Sequence, residues 1–141
     1  MTTIRLTMAQ ALTSYLTAQT SEIDGRAVPL FAGVFAIFGH GNVAGVGEAL
    51  YEARKWLPTL RAHNEQAMGL AAIAFTKTSQ RRRMMACTSS IGPGATNMMT
   101  AAAAAHTNRL PLLLARRRLR EPAPRPRVAT DPGVRRPDRL G

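Results

Sequence analysis

Three short stretches carry residue types suited to chemistry. Phe38-Gly39-His40-Gly41-Asn42 sets an imidazole among glycines, and imidazole titrates near neutrality. Arg61-Ala62-His63-Asn64-Glu65-Gln66 places a second imidazole and a carboxylate where an apolar run gives way to helical periodicity. Ser90-Ile91-Gly92-Pro93-Gly94-Ala95-Thr96-Asn97 frames a proline with two glycines. Such a backbone can pass close to a ligand, and the free N–H groups opening the helix after it attract anions or polar rings. Each stretch also has a plain structural reading. Glu65 can simply complement the dipole of the helix it opens, worth ~0.3–1 kcal/mol. His40 and His63 can be polar loop residues, and the third stretch an ordinary strand–loop–helix connection.

The elements around these stretches follow from periodicity. Thr7 and Gln10 have capping-box spacing, and Met8, Leu12, Tyr15 and Leu16 share a face, which predicts a helix from Thr7. Ser21 to Pro29 reads as a polar connection with a turn at Asp24-Gly25. Strands are expected over 31–38, 57–62, 84–88 and from Leu110 to Leu114. Between them fall a helix carrying Val46, Ala49, Leu50 and Ala53, one over 65–78, and an alanine-rich one over 95–106. Alternation of strand and helix implies right-handed crossovers, hence an α/β fold with a parallel sheet flanked by helices. Ligands of such sheets bind beyond the carboxyl ends of the strands. The loops at those ends are residues 39–42, 63–65 and 89–94, while Arg81–Arg83 form a basic turn at the opposite edge.

Other residues read as structural. Cys87, in mid-strand, is expected to be a buried small apolar residue, and Met84, Met85, Met98 and Met99 core. His106 is expected near a helix C-terminus, complementing the dipole.

Charge is unevenly spread. The 141 residues carry 19 Lys/Arg against 8 Asp/Glu, a net +11. Residues 1–114 account for ten basic and five acidic residues, and 115–141 for nine arginines, three acids and five of the nine prolines. The reading divides the chain into an incomplete domain over 1–114 and a disordered basic Arg/Pro-rich tail over 115–141, too poor in apolar residues to offset its ordering entropy. That composition is also what an out-of-frame reading of a GC-rich gene produces. A basic arm for nucleic acid is the competing reading; it requires a salt-dependent affinity that vanishes with the tail. A single cysteine excludes an internal disulfide and a Cys-based zinc cluster. Val28–Phe38, interrupted by Pro29 and Gly33, falls short of the ~18 apolar residues that span a bilayer. Met1–Thr7 lacks the apolar core of a secretory signal, so a cytoplasmic location without membrane contact is expected.

The three stretches, in this order and with this separation, resemble the N-terminal pyrimidine-binding domain of thiamine-diphosphate enzymes of the acetolactate synthase superfamily. The resemblance covers residues 3–114, including Arg5-Leu6-Thr7-Met8-Ala9-Gln10-Ala11-Leu12 and Arg82-Arg83-Met84-Met85-Ala86-Cys87-Thr88. Within the superfamily, the wording is most like members that hydrolytically open a cyclic 1,2-dione in inositol breakdown. It implies that Glu65 hydrogen-bonds a ring nitrogen of the aminopyrimidine, favouring the imino tautomer whose imine removes the thiazolium carbon proton. Such a carboxylate needs a dry surrounding. The resemblance further implies that Gly41, Gly92 and Gly94 shape the backbone around thiamine diphosphate, that Asn97 starts the helix behind it, and that His40 and His63 serve substrate or proton transfer.

The same resemblance sets limits. The family holds Mg2+ and the diphosphate through a Gly-Asp-Gly motif in a second domain, and no Gly-Asp-Gly occurs here. The family's sheet has about six strands; four are expected here. A small-molecule substrate and homo-oligomers belong to full-length members. The chain is therefore expected to behave as an N-terminal fragment, neither binding the cofactor tightly nor turning over substrate alone. An acetolactate synthase or related carboligase or decarboxylase fragment is the near alternative, and a non-catalytic partner of an intact subunit a further one.

Overall fold

The computed structural model describes residues 4–40 and 42–116, the side chain of Arg116 excepted. Gly41 and residues 117–141, the expected tail apart from Ala115 and Arg116, lie outside the described residues.

Helix α1 (Met8–Ala18) opens on the expected capping box. Thr7 Oγ1 accepts from the Gln10 N–H at 3.2 Å, and Gln10 Oε1 accepts from the Thr7 N–H at 3.0 Å. The polar connection that follows is a two-stranded antiparallel hairpin, β1 (Thr20–Ile23) and β2 (Arg26–Pro29). Asp24 (φ 51°) and Gly25 (φ 74°) both sit in left-handed conformation at its tip, the tight turn that matches strand twist. The turn was legible and the strands were not, because β1 is mostly polar and β2 runs through Pro29 straight into the apolar stretch of β3.

The remaining strands are β3 (Phe31–Ala36), β4 (Thr59–Arg61), β5 (Met84–Ser89) and β6 (Leu113–Arg116). They form one parallel sheet in the order β4-β3-β5-β6. β3 leads through a π-helical turn, Val43–Gly47, into α2 (Glu48–Ala53). The helix α3 (Glu65–Thr78) joins β4 to β5, and α4 (Pro93–Asn97) and α5 (Met99–Thr107) join β5 to β6. The α/β architecture with helices on both faces is the one expected.

Each face of the sheet has its own core. Leu16 of α1, Leu50 of α2 and Leu57 pack on Phe31, Val34, Met84 and Ala86. On the other face Met68 and Ala72 of α3 and Met98 enclose Met85 and Cys87. All six residues of β5 are buried, as its near-continuous apolar run demands of a strand covered on both faces. The alanines of α5 serve close helix contact: Ala101 and Ala105 are buried, and a Cβ on Gly69 of α3 would lie 2.5 Å from Ala101 Cβ.

Four sequence expectations need correction. The single helix over 95–106 is two, interrupted at Met98, whose side chain turns into the core. Met99 is not core but 64% exposed, because it falls beside the buried stripe that Ala95, Met98, Ala101 and Ala105 form at helical spacing. β4 is shorter than expected: Leu57 is drawn into the core, and the Pro58 carbonyl accepts from the Val34 N–H at 2.8 Å. β6 runs to Arg116, two residues past the expected end at Leu114, since its backbone pairing of Thr88 with Ala115 and Ser89 with Arg116 is indifferent to side-chain polarity. His106 lies in the last turn of α5, and Cys87 is buried.

Candidate functional site

The loops after β3, β4 and β5 leave the carboxyl edge of one parallel sheet, so the three stretches meet there as the topology requires. Glu65 is the first residue of α3, held at the strand–helix junction by Asn64. Asn64 Oδ1 accepts from the Ala67 N–H at 2.9 Å and so caps the helix itself. The neighbouring carboxylate is left free of capping work. Half-buried, it turns toward α4, where the Asn97 side-chain amide donates to Glu65 Oε2 at 3.4 Å. It makes no ion pair among the described residues.

Gly94 completes the arrangement. A Cβ built there would lie 2.5 Å from Glu65 Oε1 and would also strike Ser90 Oγ. The carboxylate and the serine hydroxyl thus close over a backbone that only glycine leaves room for. Gly92, at φ 65°, turns the chain into α4 in a conformation that disfavours side chains. Pro93 follows at the first helical position, where its missing N–H costs nothing. An open depression is lined by Glu65, Pro93, Gly94, Thr96 and Asn97.

Of the residues singled out in the sequence, Glu65, Gly94 and Asn97 come together here, with Gly92 at the entry to the loop. His40 and His63 are exposed, and neither lines the depression. Gly41 lies outside the described residues. Sequence reasoning overlooked Ser90, although its place next to the glycine-rich run was a signal. It also overlooked Asn42, buried at 7% exposure.

Residues 32–116 match the N-terminal TPP-binding domain of thiamine pyrophosphate enzymes. The chain belongs to the thiamine pyrophosphate enzyme family. Among curated relatives, the 3D-(3,5/4)-trihydroxycyclohexane-1,2-dione hydrolase of Clostridium tetani is 53% identical over 114 residues, 81% of this chain and 18% of that protein. Hydrolases of the same name from Bacillus thuringiensis and Bacillus cereus are 50% identical over the same shares. The chain thus spans 18% of the length of these relatives. No helix among the described residues is long and apolar enough to cross a membrane.

The residues present fit the family's cofactor. An aminopyrimidine is a flat ring with nitrogens at its edge, and Glu65 offers it a carboxylate engaged only by one long amide contact. Gly94 removes the side chain that would fill the space beside that carboxylate. The depression is open on one side, which gives a ring access.

Proposed function

We propose that this domain binds the aminopyrimidine end of thiamine diphosphate and serves the hydrolytic ring opening of a trihydroxycyclohexanedione. The observation that carries the proposal is that Asn64 caps α3, which frees the Glu65 carboxylate to face the glycine turn. The cofactor, when bound, supplies the electron sink for bond breaking at a carbonyl carbon. The chain's residues supply the rest. Glu65 holds a proton at the edge of the pyrimidine ring. Asn97 orients the carboxylate by donating to its second oxygen, and Gly94 keeps the approach open. Gly92 gives the turn into α4 its course, and Gly41 is assigned to the cofactor's surroundings by the family resemblance alone. His40 and His63, exposed on the flanking loops, are the candidates for contact with a substrate above the ring.

Substrate class comes from the relatives' names, and their 50–53% identity favours the dione hydrolase over an acetolactate synthase. Mg2+ and the diphosphate fall, on this reading, to the part of the relatives that the chain does not span. The working unit is then a homo-oligomer in the cytoplasm, with the isolated chain a weak binder. A chimera tests the function: the 114 residues of the Clostridium tetani hydrolase that match this chain are replaced by this chain's own. The reading expects the chimera to consume the cyclic dione and Glu65→Gln to lower kcat at least 100-fold. A folded chimera that converts pyruvate, or one indifferent to Glu65→Gln, contradicts it.

A further inference from the structure

Asn42 is a buried amide with a distant partner. Its Nδ2 donates to the Ser89 carbonyl at 3.1 Å, across 47 residues of sequence. Among the described residues no other Asn or Gln side chain is as deeply buried. Its own backbone is fixed on both sides: the Asn42 N–H donates to Gly39 O at 2.9 Å, and Asn42 O accepts from the Gly47 N–H at 2.8 Å. Burial of an amide is tolerated only when its donors are satisfied, so this side chain is committed to the end of β5.

Two further contacts tie the end of β3 and the first loop to the end of β5, and a third stiffens the loop after β5. The Ile37 N–H donates to Thr88 O at 3.0 Å. Gly39 lies against Ser90 so closely that a Cβ would strike Ser90 Cβ and come within 2.9 Å of its Cα. Ser89 Oγ donates to Ser90 O at 2.9 Å, stiffening the peptide that follows. Ser90 is also the residue whose hydroxyl, with Glu65 Oε1, closes over Gly94.

We propose that Asn42 is a positioning residue: by tying the first loop to Ser89 it fixes Ser90, and through Ser90 the setting of Gly94 and the Glu65 carboxylate. The inference rests on the reading of Glu65 as the group that faces the cofactor. It explains why a polar residue is buried here although it does not line the depression beside Glu65. It also gives the first loop a role that does not depend on touching a ligand.

The test uses the full 141-residue chain labelled with 15N and with 13C at glutamate carboxyls, Glu65→Gln identifying the Glu65 signal. Asn42→Ala removes the amide, and Asn42→Asp keeps its volume but sets an acceptor against the Ser89 carbonyl. Both variants are expected to speed amide exchange at Ser90, Ile91, Gly92 and Gly94 at least tenfold and to move the Glu65 carboxyl resonance. The β1–β2 hairpin and the last turns of α5 keep wild-type rates. An unmoved Glu65 resonance with unchanged loop exchange overturns the proposal. So does an equal loss of protection throughout the chain, which marks a general stability effect. The chimera, which carries the rest of the hydrolase, separates the two claims. If it is indifferent to Glu65→Gln while both Asn42 variants still move the Glu65 signal of the chain, the tie is upheld and the cofactor reading fails.

Discussion

At position 65 the carboxylate is held from two sides, by the Asn97 amide and by the absence of a side chain at Gly94. Gly94→Ala must displace Ser90 Oγ or Glu65 Oε1, and overpacking of this kind costs about 1–3 kcal/mol. Urea denaturation is expected to show that loss, and the chimera bearing the substitution to need at least tenfold more thiamine diphosphate for half-maximal activity. Glu65→Gln, with no ion pair to break among the described residues, is expected to change stability by less than about 1 kcal/mol. Cys87 makes a separate prediction. Burial pushes its thiol from 9.0 up to about 12, and its Sγ lies 4.0 Å from the Met68 carbonyl. The folded state keeps the proton while the unfolded chain loses it above pH 9. Stability from this group is therefore intact below pH 9 and falls as pH rises toward 12, by up to about 1.4 kcal/mol per pH unit. Urea midpoints of the wild type and Cys87→Ala, compared across pH 8–11, read the difference in slope. A thiol reagent at neutral pH is expected to label Cys87 only in the unfolded chain.

Among the elements, the loops at the carboxyl edge depend on contacts that glycine alone permits. Gly39→Ala forces the first loop away from Ser90, and faster proteolysis across residues 39–42 and 89–94, with the β1–β2 hairpin unaffected, is the expected result. Thr7→Ala removes the capping box of α1, at a cost of about 0.5–2 kcal/mol in urea denaturation. Strand–helix alternation, the capping box and the edge loops were all legible in the sequence, because apolar period and turn chemistry are local. Legible too was the importance of Glu65, but only through resemblance: the same residue type at a helix start serves the dipole just as well. What supports the proposed role is the direction of its side chain, toward Asn97 and Gly94, with Asn64 capping the helix. Asn42 escaped notice for a related reason. Its partner is 47 residues away, and no local period announces a bond of that range. Met99 was misplaced because residue type alone points to core, whereas the buried stripe passes through its neighbour Met98 on to Ala101 and Ala105.

On the scale of the whole molecule, the described sheet has four strands, and β4 and β6 form its edges. The chain covers 18% of its curated relatives, so the catalytic unit they represent is larger than the domain described here. The domain nevertheless brings together a capped helix, a half-buried carboxylate and a glycine turn that Ser90 closes, the elements of the proposed half-site. The central claim is that Glu65 faces the aminopyrimidine. It is tested most directly by a crystal structure of the chimera grown with thiamine diphosphate. The account predicts a Glu65 oxygen within hydrogen-bond distance of a pyrimidine ring nitrogen, with Gly94 beneath the ring. A cofactor bound with Glu65 turned into solvent, or lodged away from the turn at residues 90–94, would contradict it.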